Sequence, residues 1–277
     1  MESALALIGF GEAGSTFAAA AQWAGRAKAW DLLPARMKAA GRMGLGAPSA
    51  AGSALAGAPL VLSLVTADSA LPAARDYAPL LAPGALYCDG NSVAPGTKRA
   101  AAAAVDAAGA RYVDMAILAP VNPGRLAVPL LLAGAAANEA EAALRAAGFS
   151  NVRVVGTEVG RASAIKMIRS VMVKGIEALT AEMLLAADAA GVTDEVLASL
   201  DASEKAMGWA ERAAYNVERM VTHGARRAAE MAESARTLEE LGIEPWMTRG
   251  TVERQTDMAG RRDRLRPPSA AARSNAA

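Results

Sequence analysis

One cysteine and one histidine stand in a chain of 277 residues, and that scarcity removes several chemistries at once. The lone thiol, Cys88, excludes an internal disulfide and a thiolate metal cluster. With no export signal legible at Met1-Glu2-Ser3, it suits a reducing cytoplasm. An ordinary structural or hydrolytic zinc site needs more ligands than Cys88 and His223 supply, so no metal is expected. Without a Gly-x-Ser-x-Gly turn there is no serine nucleophile for His223 to serve, and no phosphate-loop lysine followed by Ser or Thr marks an ATPase. Excess charge is lacking too: 29 Lys and Arg against 28 Asp and Glu leave +1, which gives no field for nucleic acid or an anionic membrane. The basic cluster from Arg261 to Arg266 is too short to alter that. Nor is there a clean membrane-spanning run. Met43 to Ala67 is uncharged, but Gly44, Gly46, Pro48, Gly52, Gly57 and Pro59 break it and leave Leu60 to Val65 as one buried strand. Aromatics are only 4% of a chain that is 53% hydrophobic. The difference is largely alanine, which favours helix.

What is present divides into two patterns. In the first half, apolar runs alternate with alanine-rich stretches. Leu5 to Ile8, Ala27 to Trp30, Leu60 to Val65, Leu86 to Asp89, Tyr112 to Met115, Val128 to Leu132 and Val152 to Val155 read as strands. Ser15 to Gly25, Ala70 to Leu81, Thr97 to Ala107 and Glu139 to Ala147 read as helices. Strands separated by helices of this length imply crossover connections and a mainly parallel sheet covered on both faces. After Gly156 strand-like runs cease. Ile165, Ile168, Met172, Ile176, Leu179 and Met183 mark one apolar face of a long helix, Gly191 reads as its C-cap, and Thr193 as the cap of the next helix. A later helix ends near Leu241-Gly242, with Pro245 beyond.

Gly9-Phe10-Gly11-Glu12-Ala13-Gly14 has the spacing G-x-G-x-x-G, and it follows a strand and opens a helix. In that context Gly9 permits the tight turn, Gly11 admits a pyrophosphate to the backbone, and Gly14 lets helix and strand pack closely. The amides and dipole of the helix N-terminus then attract the phosphates. Asp31 follows the second strand, where an acid accepts hydrogen bonds from the adenosine ribose; its charge favours NAD, although Arg36 lies near enough in sequence to leave NADP open. The first half thus reads as a Rossmann dinucleotide-binding domain, residues 1–159, doubly wound and α/β. An all-α substrate and dimerisation domain, 160–260, and a disordered basic tail, 261–277, follow it.

Gly160-Arg161-Ala162-Ser163-Ala164-Ile165-Lys166 stands where the halves join. A lysine one turn into that helix is either solvated or turned toward the cleft, where desolvation beside a cationic nicotinamide would lower its pKa as a general base requires. The G-x-G-x-x-G turn, the segment Asp89-Gly90-Asn91-Ser92-Val93-Ala94-Pro95 and the glycine-to-lysine helix together resemble the β-hydroxyacid dehydrogenases, a family that includes 3-hydroxyisobutyrate and 6-phosphogluconate dehydrogenases. The resemblance spans residues 3 to 260, and the helical half looks related to 6-phosphogluconate dehydrogenase. It implies that Lys166 exchanges the hydroxyl proton during hydride transfer, with Asn91 and Ser92 beside the nicotinamide and substrate and Ser63 and Thr66 near the cofactor. It also implies a small acidic substrate and a homodimer. Two departures mark this chain: Ile117-Leu118-Ala119-Pro120-Val121-Asn122-Pro123-Gly124 lacks the family's serine and glycines, and Ser170 replaces an asparagine four residues after the lysine. His223 and Arg227 share a helix face and are candidate clamps for an anionic substrate, unless they form a basic face paired with Glu230 and Glu233. Glu177 and Glu182 are candidate proton relays or interhelical partners. An imine reductase and a non-catalytic dinucleotide sensor are the rival readings.

Overall fold

The computed structural model describes residues 5–204 and 206–261, apart from the side chains of Glu177, Ala210, Glu230, Glu233 and Arg236. All but the first residue of the expected basic tail, and the roles suggested for Glu177, Glu230 and Glu233, lie outside those described residues. The chain forms two compact units, Met1–Val171 and Met172–Ala277.

In the first unit β1 (Leu5–Ile8), α1 (Glu12–Ala20), β2 (Ala27–Trp30), α2 (Pro34–Arg42) and α3 (Ala51–Leu55) lead into β3 (Leu60–Ser63). Then come α4 (Ala70–Tyr77), β4 (Leu86–Asp89), α5 (Pro95–Ala107), β5 (Arg111–Ile117), β6 (Leu130–Ala133), α6 (Ala137–Ala146) and β7 (Val152–Gly156). One sheet of order β2-β1-β3-β4-β5-β6-β7 results, parallel except where β5 and β6 run antiparallel. Each central strand buries both faces, which is why the runs are continuously apolar. Leu5, Leu7, Leu62, Cys88 and Val113 pack on one face with Phe17, Trp23 and Phe149. Ala6, Ile8, Val61, Tyr87 and Tyr112 pack on the other with Leu55 and Val105. β5 outreaches β4: Asp89 pairs with Asp114, whereas Met115 to Ile117 pair only with β6. Its residues alternate there, Met115 and Ile117 joining the first core while Ala116 packs with Leu131, Ala133 and Ala162.

Three sequence expectations shift. α2 was not anticipated; Pro34 at its first turn starts it, and inward positions such as Ala40 leave only a narrow apolar stripe. The sixth strand starts at Leu130, because Arg125–Ala127 forms a 3-10 turn. Thr193 is the first helical residue rather than the cap, which is Val192.

The helical part comprises α7 (Arg161–Ala190), α8 (Thr193–Ser203), α9 (Trp209–Glu240) and α10 (Trp246–Met258). Gly191 (φ +70°) and Gly242 (φ +75°) close α7 and α9 as expected, the amides of Val192 and Ile243 returning to the Ala187 and Leu238 carbonyls. Within the second unit α9 and α10 approach so closely that a Cβ on Gly224 would fall 2.4 Å from the Gln255 carbonyl oxygen. Glu182 caps α10, accepting the Met247 and Thr248 amides at 2.7 and 2.9 Å and the Thr248 hydroxyl at 2.6 Å. Among the described residues no helix is long and apolar enough to cross a membrane, and no group of three His, Cys, Asp or Glu side chains is arranged to hold a metal ion.

Candidate functional site

The chain leaves β1 for β2 on one side and later places β3 on the other, so the strand order reverses at β1. Crevices at such reversals, beyond the carboxyl ends of the strands, are where open α/β sheets bind ligands. A cavity of about 490 Å³ lies there, within the first unit. Its walls come from four successive strand ends: Glu12 and Ala13 after β1, Leu64 to Ala67 after β3, Gly90 to Ser92 after β4, and Ile117 with Ala119 to Val121 at the end of β5. Lys166, from α7, completes it.

The glycine turn has the geometry its spacing predicts. Gly9 sits at φ +92°, and a Cβ there would lie 2.4 Å from the Leu64 carbonyl oxygen, so only glycine fits. A Cβ on Gly14 would lie 2.6 Å from the Gly9 carbonyl oxygen, which is the close helix-strand contact expected of it. Gly11 caps α1, no side chain caps that helix, and nothing lies within 4 Å of where its Cβ would stand. An open approach to an uncapped helix N-terminus suits a pyrophosphate, so these residues fit a dinucleotide. Asp31 braces the turn from the end of β2, one carboxylate oxygen accepting the Phe10 amide at 2.7 Å and the other the Leu33 amide at 2.9 Å.

Two expected cofactor contacts need correction. Phe10 has a wholly buried ring and an amide already bonded to Asp31, which leaves it no group for a phosphate. Ser63 is also wholly buried; its hydroxyl accepts from the Asn91 amide group at 3.0 Å and so supports Asn91 instead of reaching a ligand. Asn91 in turn accepts the Val65 amide at 2.7 Å, tying the β3 and β4 loops together at the cavity wall. Thr66 is exposed on that wall, and its hydroxyl bond to Asp68 holds the Asp68 carboxyl below the usual carboxylate range.

Lys166 donates to the Ser92 hydroxyl at 2.6 Å. The Ser170 hydroxyl, four residues on, bonds back to the Lys166 carbonyl at 2.9 Å. Arg169 reaches the Leu118 carbonyl at 3.2 Å, from the next turn. His223, exposed, and Arg227 lie on α9 in the other unit. Cys88 belongs to the core; burial pushes its thiol up to about 12, which keeps it protonated and inert. Ile117, Ala119, Pro120 and Val121 belong to the segment that lacks the family's serine and glycines, and the structure puts them on the wall. Their position directly after a parallel strand was the available signal.

Residues 4–156 match the family described as the NAD binding domain of 6-phosphogluconate dehydrogenase, and residues 187–258 match a domain of unknown function, DUF1932. A conserved hypothetical protein from Sinorhizobium meliloti 1021 is 38% identical over 92% of this chain and 88% of its own, with a TM-score of 0.62. A conserved protein of unknown function, with structural similarity to 3-hydroxyacid dehydrogenases, is 30% identical over 92% of this chain and 96% of its own, with a TM-score of 0.60. An imine reductase from Streptomyces aurantiacus, 20% identical, covers 91% of this chain and 93% of its own at a TM-score of 0.76, a likeness of fold. The fold is that of NAD(P)-binding dehydrogenases, and the chain belongs to the family of the NAD binding domain of 6-phosphogluconate dehydrogenase.

Proposed function

We propose that the protein is an NAD(P)-dependent oxidoreductase interconverting a hydroxy acid and the matching carbonyl acid, with Lys166 exchanging the hydroxyl proton. The observation that carries this reading is the 2.6 Å contact between the Lys166 amine and the Ser92 hydroxyl, made inside the cavity that the glycine turn also lines. A bound nicotinamide dinucleotide supplies the acceptor or donor of the hydride. The first turn of α1 holds its phosphates, and Asn91 and Thr66 shape the wall beside its reactive end. In oxidation the Lys166 amine takes the substrate hydroxyl proton as the C–H bond breaks; in reduction the ammonium returns it to the developing alkoxide. Ser92 orients that amine and offers a hydroxyl to the same oxygen. Residues 1–159 serve the cofactor, and 160–260 form the substrate and dimerisation domain of a cytoplasmic homodimer, with Ser170, His223 and Arg227 as candidate contacts to an acidic substrate.

The apolar wall of Ile117, Ala119, Pro120 and Val121 favours a second reading, reduction of a C=N bond on an apolar skeleton, because it brings no side-chain donor for a carboxylate. Cofactor reduction over a panel of hydroxy acids, and cofactor oxidation over cyclic imines, separates the two. The proposal expects hydroxy-acid turnover that falls about 100- to 10,000-fold in Lys166→Ala while NADH affinity holds. Turnover of imines alone selects the second reading; tight NADH binding with no turnover in either panel leaves a dinucleotide sensor.

A further inference from the structure

Lys98, Asp89 and Asp114 carry charged side chains with no solvent exposure, and the reaction proposed above uses none of them. A lysine ammonium stays charged in a dry interior only where acceptors surround it. Here Lys98, on α5, donates to the Asp89 carbonyl at 2.5 Å, the Asp89 carboxylate at 3.1 Å and the Met115 carbonyl at 3.3 Å, and lies 3.5 Å from the Asp114 carboxylate. Each carboxylate has a second task. Asp89 accepts the Asn91 amide at 2.9 Å and the Tyr112 hydroxyl at 2.6 Å, which fixes the chain entering Asn91-Ser92. Asp114 accepts the Gly160 and Ser163 amides, both at 3.0 Å, which caps α7 at its start, five residues before Lys166. The start of α5 also abuts the start of α7, since a Cβ on Gly160 would come within 2.8 Å of the Arg99 guanidinium and 3.1 Å of Pro95.

One ammonium therefore joins the two carboxylates that set the two sides of the Lys166–Ser92 contact. We propose that Lys98 is a positioning residue for that pair: through Asp89 it fixes the Ser92 loop, and through Asp114 the first turn of α7, so that the amine of Lys166 meets the hydroxyl of Ser92. The inference rests on the functional reading of Lys166, but its test needs no turnover.

The amines of the full-length protein are trace-labelled with acetic anhydride, and the Lys166 signal is divided by that of exposed Lys38 in mass spectra. Ser92→Ala, which removes that hydroxyl directly, calibrates the response. The expected rise is about five-fold, the net worth of one hydrogen bond. Asp114→Asn leaves Lys98 and Asp89 as a matched pair and so retains the fold; Lys98→Met is the harsher companion. Asp114→Asn is expected to reach at least half of the Ser92→Ala response with NADH affinity unchanged. A lowered melting temperature with a parental Lys166-to-Lys38 ratio in Asp114→Asn would mean that the buried charges only hold the fold, and would overturn the proposal whatever becomes of Lys98→Met. If the labelling ratio moves but no hydroxy acid is turned over, the positioning role stands and the reaction assignment falls.

Discussion

Asp31 accepts the amide hydrogen of Phe10 at 2.7 Å, so the acid at the end of β2 is fastened to the glycine turn it borders. A carboxylate so placed opposes a 2′-phosphate and offers an acceptor to a ribose hydroxyl. NADH is expected to bind more tightly than NADPH, and Asp31→Ser to narrow that ratio about ten-fold, the effect of one close charge. Fluorescence titration with both cofactors measures it. Tighter NADPH binding by the parent protein would refute the assignment and direct attention to Arg36.

Gly11 and Gly14 offer a contrast in the same turn. Gly11→Val projects into open space, so its stability cost should stay near about 1 kcal/mol for a poor cap residue, while NADH affinity drops about ten-fold or more. Gly14→Ala drives a methyl to 2.6 Å from the Gly9 carbonyl oxygen and should lower the melting temperature before any ligand is added. Equal effects of the two substitutions on both measurements would show that the turn is merely structural.

Strands covered on both faces were legible because two-sided burial writes an unbroken apolar run, as in Leu60 to Ser63. The glycine turn was legible because Gly9 and Gly14 each answer a steric demand while Gly11 leaves the helix N-terminus open. α2 escaped notice because its exposed side carries Arg36, Lys38 and Arg42, and little apolar periodicity remains. The buried network escaped for a different reason: a lysine is read as solvated by default, and Lys98 stands beside Arg99 in the first turn of a helix that continues largely as alanine. The overlooked sign lay in the strands, where Asp89 and Asp114 interrupt buried segments and each requires a partner.

Glu182 sets an acid limit on the second unit. Burial alone would raise its carboxyl, but the Thr248 hydroxyl, the Met247 and Thr248 amides and nearby Arg249 together hold it below the ordinary value. A depressed folded pKa contributes stability that is present above the unfolded value and lost as pH falls through the folded one. The melting temperature is therefore expected to fall below about pH 4.5, and Glu182→Gln to lower it at neutral pH while flattening that acid slope. Thermal scans from neutral to acid pH test this; an unchanged slope would remove Glu182 from the account.

Helix α7 is apolar around much of its circumference, with Ile168 72%, Val171 76% and Leu185 58% exposed in the single chain. Such a helix is ordinarily covered. Light scattering is expected to give twice the chain mass, and Ile168→Glu with Leu185→Glu to return the monomer. A monomeric parent at micromolar concentration would contradict the dimer.

The overhang of β5 beyond β4 separates two functions by residue parity. Ile117 faces the cavity, while its neighbour Ala116 touches Leu131 and Ala162 at the root of α7. On the function proposed above, residue 117 would bear on which skeleton is admitted, as well as on the core it joins, and residue 116 on the seat of the lysine-bearing helix. Substrate range and catalytic alignment would then answer to neighbouring residues of one strand.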